Sequence, residues 1–599
     1  MCGINGLVGR DERAVGAMNE RTRHRGPDDT GIYSSDLATI GNNRLAIIDL
    51  SPEGHQPMRT GERYSIVFNG EIYNYRELRA ELSALGVSWK SHSDTEVILE
   101  GYAQWGASIT KKLRGMWAFA ILDEKEETLF LARDPFGIKP LYLYDDGATL
   151  AFSSEIRGLL ANPKVKGAVN PEALKRLLTL GFALAPETIL MHTTALLPGE
   201  EIVINLKSKK QRSHINQFEA SDAPTSDEDL EAVLLDSVRH HLIADVPVGL
   251  FFSGGTDSTL LAVLLKNLGV ELTTYHVAIE RRGDTEYAEK IAKHLGLTLR
   301  QTTLDTKKAQ EELQAATLAL DHPLADTSFL PTYLVSQLAS KDVKVVLSGE
   351  GGDELFGGYP RHPALMNMAL KSGLRTNLPT DRLLRAAPSL LSLYGKMQGA
   401  KRLAGSLAGD AYGRYVGEIA FGSPLRSMRD IEHAMHERVS KYATPDQTLA
   451  LDRLLYLPDV NLLKIDTATM AHSIEGRTPL LDREVWRRIG SRPHSWKSTS
   501  AISKSPLKRI LSKYLPEELV HRPKSGFSSP PGMYFENPER LEEAIHWYGD
   551  HFAGLIPILD SLLRRYSGTQ RGTLARELSY TLIVLMTIHQ WLEDKNISL

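Results

Sequence analysis

Cysteine is almost missing from this chain: one residue in 599, Cys2. That excludes an internal disulfide framework and any metal site built from several thiolates. Long apolar runs are missing too. No uninterrupted stretch reaches the ~18 residues a membrane-crossing helix needs, so no span is expected. Arg10, Asp11, Glu12 and Arg13 stand where a secretory signal would be apolar. Nor is charge of one sign in surplus: 24% of residues are charged and the net charge is -4. No basic excess is left for nucleic acid and no polybasic cluster for a membrane surface. The expectation is an ordinary soluble globular protein, with the cytoplasm as its default compartment. Its length exceeds what one core usually holds and implies roughly two to four domains.

The single cysteine directly follows the initiator, in Met1-Cys2-Gly3-Ile4. Removing Met1 would leave a thiol and a free α-amine on one residue. Ordinary pKa values are about 8.5 for the thiol and roughly 8 for the amine, so the amine can take the thiol's proton near neutral pH. The expectation is an exposed sulfur at the mature chain start. Taken alone, a cysteine at this position can equally be an accident, and the rest of the chain has to decide.

Two textures follow. Over the first ~200 residues, short apolar runs such as Tyr64-Ser65-Ile66-Val67-Phe68 and Thr128-Leu129-Phe130-Leu131-Ala132 alternate with turn residues. Helical patterns cover 74–85 and 95–105. A sheet-rich sandwich of packed layers is predicted. Residues 207–229 turn polar and read as a linker between domains at 1–206 and 230–599. Beyond it strands alternate with helices: 246–252 before a helix through Leu268, 273–279 before a helix at 287–295, and 343–347 before an acidic loop. A mainly parallel sheet flanked by helices is expected. From Pro363 on the pattern is helical, with no further strand expected.

The run Phe251-Phe252-Ser253-Gly254-Gly255-Thr256-Asp257-Ser258 joins a strand to an apolar helix. Such a turn aims unpaired backbone N–H groups and a helix dipole at an anion. Gly254 and Gly255 let a phosphate come close, and Ser253 and Ser258 add hydroxyls. Asp257 would repel phosphates unless a cation lay between, which implies Mg²⁺. A second strand ends in Ser348-Gly349-Glu350-Gly351-Gly352-Asp353-Glu354. Ligands of parallel α/β sheets sit beyond the carboxyl ends of strands. Both loops should therefore face one crevice, with Asp353 as the other metal ligand. The bland alternatives are a glycine turn for the first loop and a solvated turn for the second.

With these residues in view, the chain resembles the asparagine synthetase family, in which a class II glutamine amidotransferase domain is joined to an ATP-pyrophosphatase-type synthetase domain. The resemblance covers nearly the whole length. Its motifs are Met1-Cys2-Gly3-Ile4, Arg23-His24-Arg25-Gly26-Pro27-Asp28, Arg44-Leu45-Ala46-Ile47-Ile48-Asp49, Phe68-Asn69-Gly70-Glu71-Ile72-Tyr73-Asn74, Ser93-Asp94-Thr95-Glu96, the run from Arg133 to Tyr142, the two loops above, and the run from Met470 to Asp482. It implies an α+β and α/β two-domain architecture. The first domain would be an αββα Ntn-hydrolase sandwich. The second would be a parallel-sheet, adenine-nucleotide α-hydrolase-like domain with a helical C-terminal extension.

What the resemblance implies for residues is specific. Cys2 would attack the glutamine side-chain amide, with Asn69 and the Gly70 N–H as oxyanion hole. Arg44 would hold the glutamine α-carboxylate and Asp94 its ammonium, with Glu71 in the same site. Phe251, the Ser253–Ser258 loop, Val277, Ser348 and Gly349 would bind ATP, with Asp257 and Asp353 on Mg²⁺. Glu350 would lie near the acyl-adenylate and Lys508 on adenylate and pyrophosphate. Read without the family, Arg44 and Asp94 are surface ion-pair candidates and Lys508 is a solvated helix lysine. The substrates would be glutamine, ATP and a carboxylate acceptor, aspartate by default. An enclosed route for ammonia would keep it from becoming ammonium. The chain is compatible with a homodimer.

One departure opens the acceptor. Aspartate-using members carry a Thr-Thr-x-Arg-Ala-type stretch with the arginine on the aspartate carboxylate, and here Thr327 falls at that arginine. Glu475-Gly476-Arg477-Thr478-Pro479 also replaces the commoner Glu-Val-Arg-Val-Pro. The same chemistry on diaminopimelate or a uronic acid is therefore the alternative, and the insert at 371–410 would shape a larger pocket. A catalytically dead scaffold is disfavoured by the intact Cys2, Arg44, Asn69, Asp94, Asp257 and Asp353. A sugar or phosphoribosyl amidotransferase is disfavoured by the Ser253 loop.

Overall fold

The computed structural model describes residues 2–221, 226–280, 284–362, 415–416, 419, 428–441, 447–499, 502–522, 527–530, 546–550, 571–595 and 597. The insert at 371–410 lies outside the described residues. The first half is built on strands β1 (Gly3–Val8), β2 (Asp29–Ser34), β3 (Ala38–Arg44), β4 (Met58–Thr60), β5 (Tyr64–Ile72), β6 (Gly115–Asp123), β7 (Thr128–Arg133), β8 (Tyr142–Asp145), β9 (Leu150–Ser153), β10 (Thr193–Ala195), β11 (Glu200–Asn205) and β12 (Gln211–Ile215). They form two antiparallel sheets, in the orders β10-β8-β9-β1-β3-β2 and β12-β11-β7-β6-β5-β4.

Alternation of side chains decides how the sheets stack. Ile4 of β1 and Phe152 of β9 meet Ala118, Ala120 and Leu122 of β6 and Leu131 of β7 in the core between the sheets. Trp117, Phe119 and Ile121, one residue out of phase on β6, face instead the helices Tyr75–Ala84 and Asp94–Trp105. On the far side, Leu7 of β1 packs against Val15 and Met18 of the helix Glu12–Arg21. The result is the expected helix-sheet-sheet-helix sandwich.

The segment expected as linker is shorter in the structure. β12 pairs antiparallel with β11, Glu200 opposite Ile215 and Ile204 opposite Gln211. The helix Asp227–His241 then starts on a capping box made by Ser226 and Asp229. Gln211-Arg212-Ser213-His214 forms a sheet edge with little to bury, and such a strand reads as a polar tract.

The second half holds a parallel sheet of β13 (Val248–Phe251), β14 (Thr273–Ile279), β15 (Thr298–Leu304), β16 (Val345–Leu347) and β17 (Glu475–Arg477), in the order β15-β14-β13-β16-β17. The strand order reverses between β13 and β16, the place where ligands enter such sheets. β17 corrects the expectation of no strand after Pro363. Its Glu-Gly-Arg offers no apolar residue, and its two charged side chains are buried against each other instead. Among the described residues, no helix is long and apolar enough to cross a membrane.

Candidate active sites

Cys2 directly precedes β1. It is buried rather than exposed, at 6% of its surface. Its backbone N–H donates to Asn69 Oδ1 at 3.1 Å, and its carbonyl accepts from Arg25 Nε at 3.1 Å. Burial pushes the thiol pKa up, while the Leu45 N–H and the Arg44 charge pull the other way. Asn69 Nδ2 is buried without a partner among the described residues. An amide donor orphaned beside a buried thiol is poised to receive an oxyanion. Gly70 has to be glycine, because a Cβ there would lie 2.1 Å from the Met116 carbonyl oxygen on β6.

The predicted glutamine ligands divide. Asp94 opens the helix Asp94–Trp105 and accepts from the Ile72 N–H at 2.9 Å; burial pushes its pKa up to about 6. Arg44 is also buried, but its Nη1 donates to the Ser51 carbonyl at 3.1 Å and its Nη2 to the carbonyls of Ile48 and Asp49. Here it organises the 48–51 loop. Glu71 lies next to the site yet accepts from Arg477 Nη2 of β17 at 2.8 Å. Burial and the nearby Glu475 carboxylate push its pKa well up.

At the switch between β13 and β16 lies a cavity of about 470 Å³. Phe251, Ser253, Gly255, Thr256, Asp257, Ser258, Val277, Ser348, Gly349, Glu350, Asp353 and Lys508 all line it. Of the predicted nucleotide residues, only Gly254 does not. With φ +66 it makes the turn and backs onto Ala288, whose Cα would sit 2.8 Å from a Cβ. The two serines brace the loop from within. Ser258 Oγ accepts from the Ser253 N–H at 3.2 Å and donates to the Gly255 carbonyl at 3.3 Å, and Ser253 Oγ accepts from the Gly255 N–H at 3.2 Å.

Sequence reasoning missed the lysines that face these acids. Lys504 Nζ is 2.8 Å from Asp353 Oδ1 and hydrogen-bonded to Asp257 Oδ2. Burial works against its charge, but the two aspartates prevail and hold the amine protonated well above the ordinary lysine range. Two carboxylates converging on one cation fit Mg²⁺, which is commonly bound by one or two carboxylates together with substrate phosphates. Lys464 Nζ lies 3.3 Å from Glu350 and 3.8 Å from Asp326. Glu354 accepts from the Tyr359 hydroxyl at 2.6 Å, and burial with the neighbouring Asp353 pushes it up to about 7. Thr327 does not line the cavity. Its carbonyl accepts from the Ser529 N–H at 3.0 Å, while its neighbours Asp326 and Ser328 do line it.

Buried charges tie the two regions together. Arg25 donates to Glu155 at 2.8 Å and to Asp466 of the second half at 2.9 Å. Arg477 bonds Glu71 across the interface and Glu475 on its own strand, and its carbonyl accepts from the Ser348 N–H at 2.8 Å. The pairs that cross between the halves, Arg25 with Asp466 and Arg477 with Glu71, lie hundreds of residues apart in sequence, so no local signal betrays them.

Two family descriptions fit the chain in series: a glutamine amidotransferase domain over residues 1–216 and asparagine synthase over residues 229–592. A Bacillus subtilis protein named asparagine synthetase [glutamine-hydrolyzing] 1 is 32% identical, with 90% of this chain and 88% of that protein covered. A putative asparagine synthetase [glutamine-hydrolyzing] of Mycobacterium tuberculosis is 33% identical, with coverage of 98% and 95%. Asparagine synthetase [glutamine-hydrolyzing] 3 of Bacillus subtilis is 28% identical, with coverage of 94% and 92%.

Proposed function

This chain belongs to the glutamine-hydrolysing asparagine synthetase family, and from that premise we propose how its residues divide the work. It is a carbon–nitrogen ligase with glutamine-dependent asparagine synthetase chemistry, using ATP. Once Met1 is removed, the α-amine of Cys2 takes the thiol proton and Sγ attacks the glutamine amide carbon. The oxyanion accepts from Asn69 Nδ2 and the Gly70 N–H. Collapse expels ammonia and leaves a thioester, which water hydrolyses to glutamate. Asp94 receives the glutamine ammonium. Arg44, whose Nη groups bond the 48–51 carbonyls, shapes the pocket around the α-carboxylate.

In the second cavity an acceptor carboxylate oxygen attacks the α-phosphorus of ATP. Pyrophosphate leaves and an acyl-adenylate forms. Ammonia then attacks the acyl carbon and AMP departs. The Ser253–Ser258 loop and Ser348 grip the phosphates, Val277 and Gly349 flank the adenosine, and Lys508 faces the departing pyrophosphate. Asp257 and Asp353 would hold Mg²⁺, whose contribution is to offset phosphate charge as the α-phosphorus is attacked. Glu350, with Lys464, borders the acyl end. We place the enzyme in the cytoplasm, in keeping with its single cysteine.

Aspartate is the first acceptor to test. Thr327 favours the second reading, a diaminopimelate or uronic acid carboxylate, because no arginine stands at that position. The observation that carries the overall proposal is the orphaned Asn69 amide beside the buried Cys2, in a chain that also folds the two anion loops around one cavity. Pyrophosphate release with glutamine, ATP and a panel of carboxylates tests it. Aspartate-stimulated release supports the first acceptor, and release with another acid alone supports the second. No acceptor-stimulated release with either glutamine or ammonia would refute both.

A further inference from the structure

We propose that Lys504 is a placeholder cation: its ammonium holds Asp257 and Asp353 together before nucleotide arrives and yields them to the metal that enters with it. The inference rests on the reading of these two aspartates as the Mg²⁺ carboxylates.

The geometry is that of a built site. Asp257 comes from the loop after β13 and Asp353 from the loop after β16, and one buried ammonium reaches both. Two carboxylates brought together at the mouth of a sheet repel each other, and a single cation between them removes the repulsion. The backbone is bent to deliver it. Lys504 takes φ +54, the left-handed region a non-glycine residue rarely adopts, immediately before the helix Ser505–Leu511. The surroundings are cut to fit as well. A Cβ on Gly358 would lie 1.7 Å from Asp353 Oδ1 and 2.2 Å from Lys504 Cε, so only glycine leaves room for the pair.

Lysine suits a temporary occupant better than arginine would. Its ammonium is a compact charge on a flexible stem, and it can swing away without breaking a planar bidentate contact. Lys504, at the N-cap, and Lys508, one turn further along the same short helix, line the same cavity. An ammonium displaced from the aspartates therefore stays next to the phosphates that arrive with the metal. Binding of metal and nucleotide would be linked: the metal alone must displace a buried cation, whereas metal with nucleotide gives that cation a new partner.

The test uses the full chain and Mn²⁺ alone as probe, with bound metal read by electron paramagnetic resonance. Wild type should bind Mn²⁺ weakly without nucleotide. Lys504→Gln and Lys504→Met should each bind one Mn²⁺ at least about tenfold more tightly, and adding Asp257→Asn to either should abolish the gain. Circular dichroism and a cooperative melt identify variants that remain folded, and the glutamine variant keeps length and polarity if the methionine one does not fold. Equal nucleotide-free affinity in wild type and a folded Lys504 variant would overturn the proposal. If wild type held no Mn²⁺ even with a non-hydrolysable ATP analogue, the reading of Asp257 and Asp353 as metal carboxylates would itself fall, and the placeholder with it.

Discussion

At the scale of single residues, burial sets the character of the first site. A thiol removed from water loses acidity, so Cys2 depends on the groups beside it: the α-amine freed with Met1, the Arg44 charge and the Asn69 amide. Asn69→Ala should lower the glutaminase kcat by roughly 10²–10³ while changing the glutamine KM far less, because the donor acts on the oxyanion. Steady-state glutamate release checks this. Asp94 gives a pH signature. Its pKa is raised to about 6 in the folded protein against about 3.9 for a free aspartate. The folded state therefore favours the protonated form, and the stability cost of ionising Asp94 builds up between about pH 3.9 and about 6 and is complete above that. A glutamine ammonium pairs with the charged form alone, so KM for glutamine should climb as pH falls below about 6, with kcat less affected. In Asp94→Asn the KM should be high at every pH and that slope lost. Cys2, Asn69, Asp94 and the two anion loops were legible because each sits in a contiguous motif. Lys504 was not, since its partners lie in loops far earlier in the chain and nothing in Ser503-Lys504-Ser505 announces a buried ion pair.

At the scale of elements, the short strand β17 matters more than its length suggests. It closes the parallel sheet beside β16, supports the Ser348 loop with its Arg477 carbonyl and sends the Arg477 side chain to Glu71 on the Asn69 strand. Arg477 also donates to the carbonyls of His241 and Ile243 at 2.8 and 2.7 Å. Arg477→Ala would remove the buried guanidinium that Glu71 and Glu475 share, at a cost of about 3–5 kcal/mol; urea unfolding measures it. The charge of this strand is also why it was not legible: strand patterns are read from apolar alternation, and Glu-Gly-Arg has none. β12 escaped for the opposite reason, being an exposed edge with a linker's composition. The apolar strands β5, β7 and β14 and the helices after β13 and β14 were legible, since each is a compact apolar run bounded by turn residues or a helix that buries a stripe.

At the scale of the whole molecule, two chemistries share one chain and meet across buried ion pairs. Arg25 touches the Cys2 carbonyl, Glu155 and Asp466, so the nucleophile's backbone is anchored to the helix Leu463–Met470 that also carries Lys464. Arg114 pairs with Asp482 at 2.8 Å in the same interface. This union of halves was legible as a succession of two textures, whereas its ion pairs were not, being contacts between residues hundreds of positions apart. The central claim is that nitrogen freed at Cys2 is captured on an adenylated acid in the other half. Amide-¹⁵N glutamine, followed into the amidated product by mass spectrometry, tests it most directly in wild type and Cys2→Ser, with ammonium supplied in parallel reactions. The account predicts labelled product from wild type, none from Cys2→Ser with glutamine, and product from both with ammonium. Label transferred from glutamine by Cys2→Ser at the wild-type rate would contradict it.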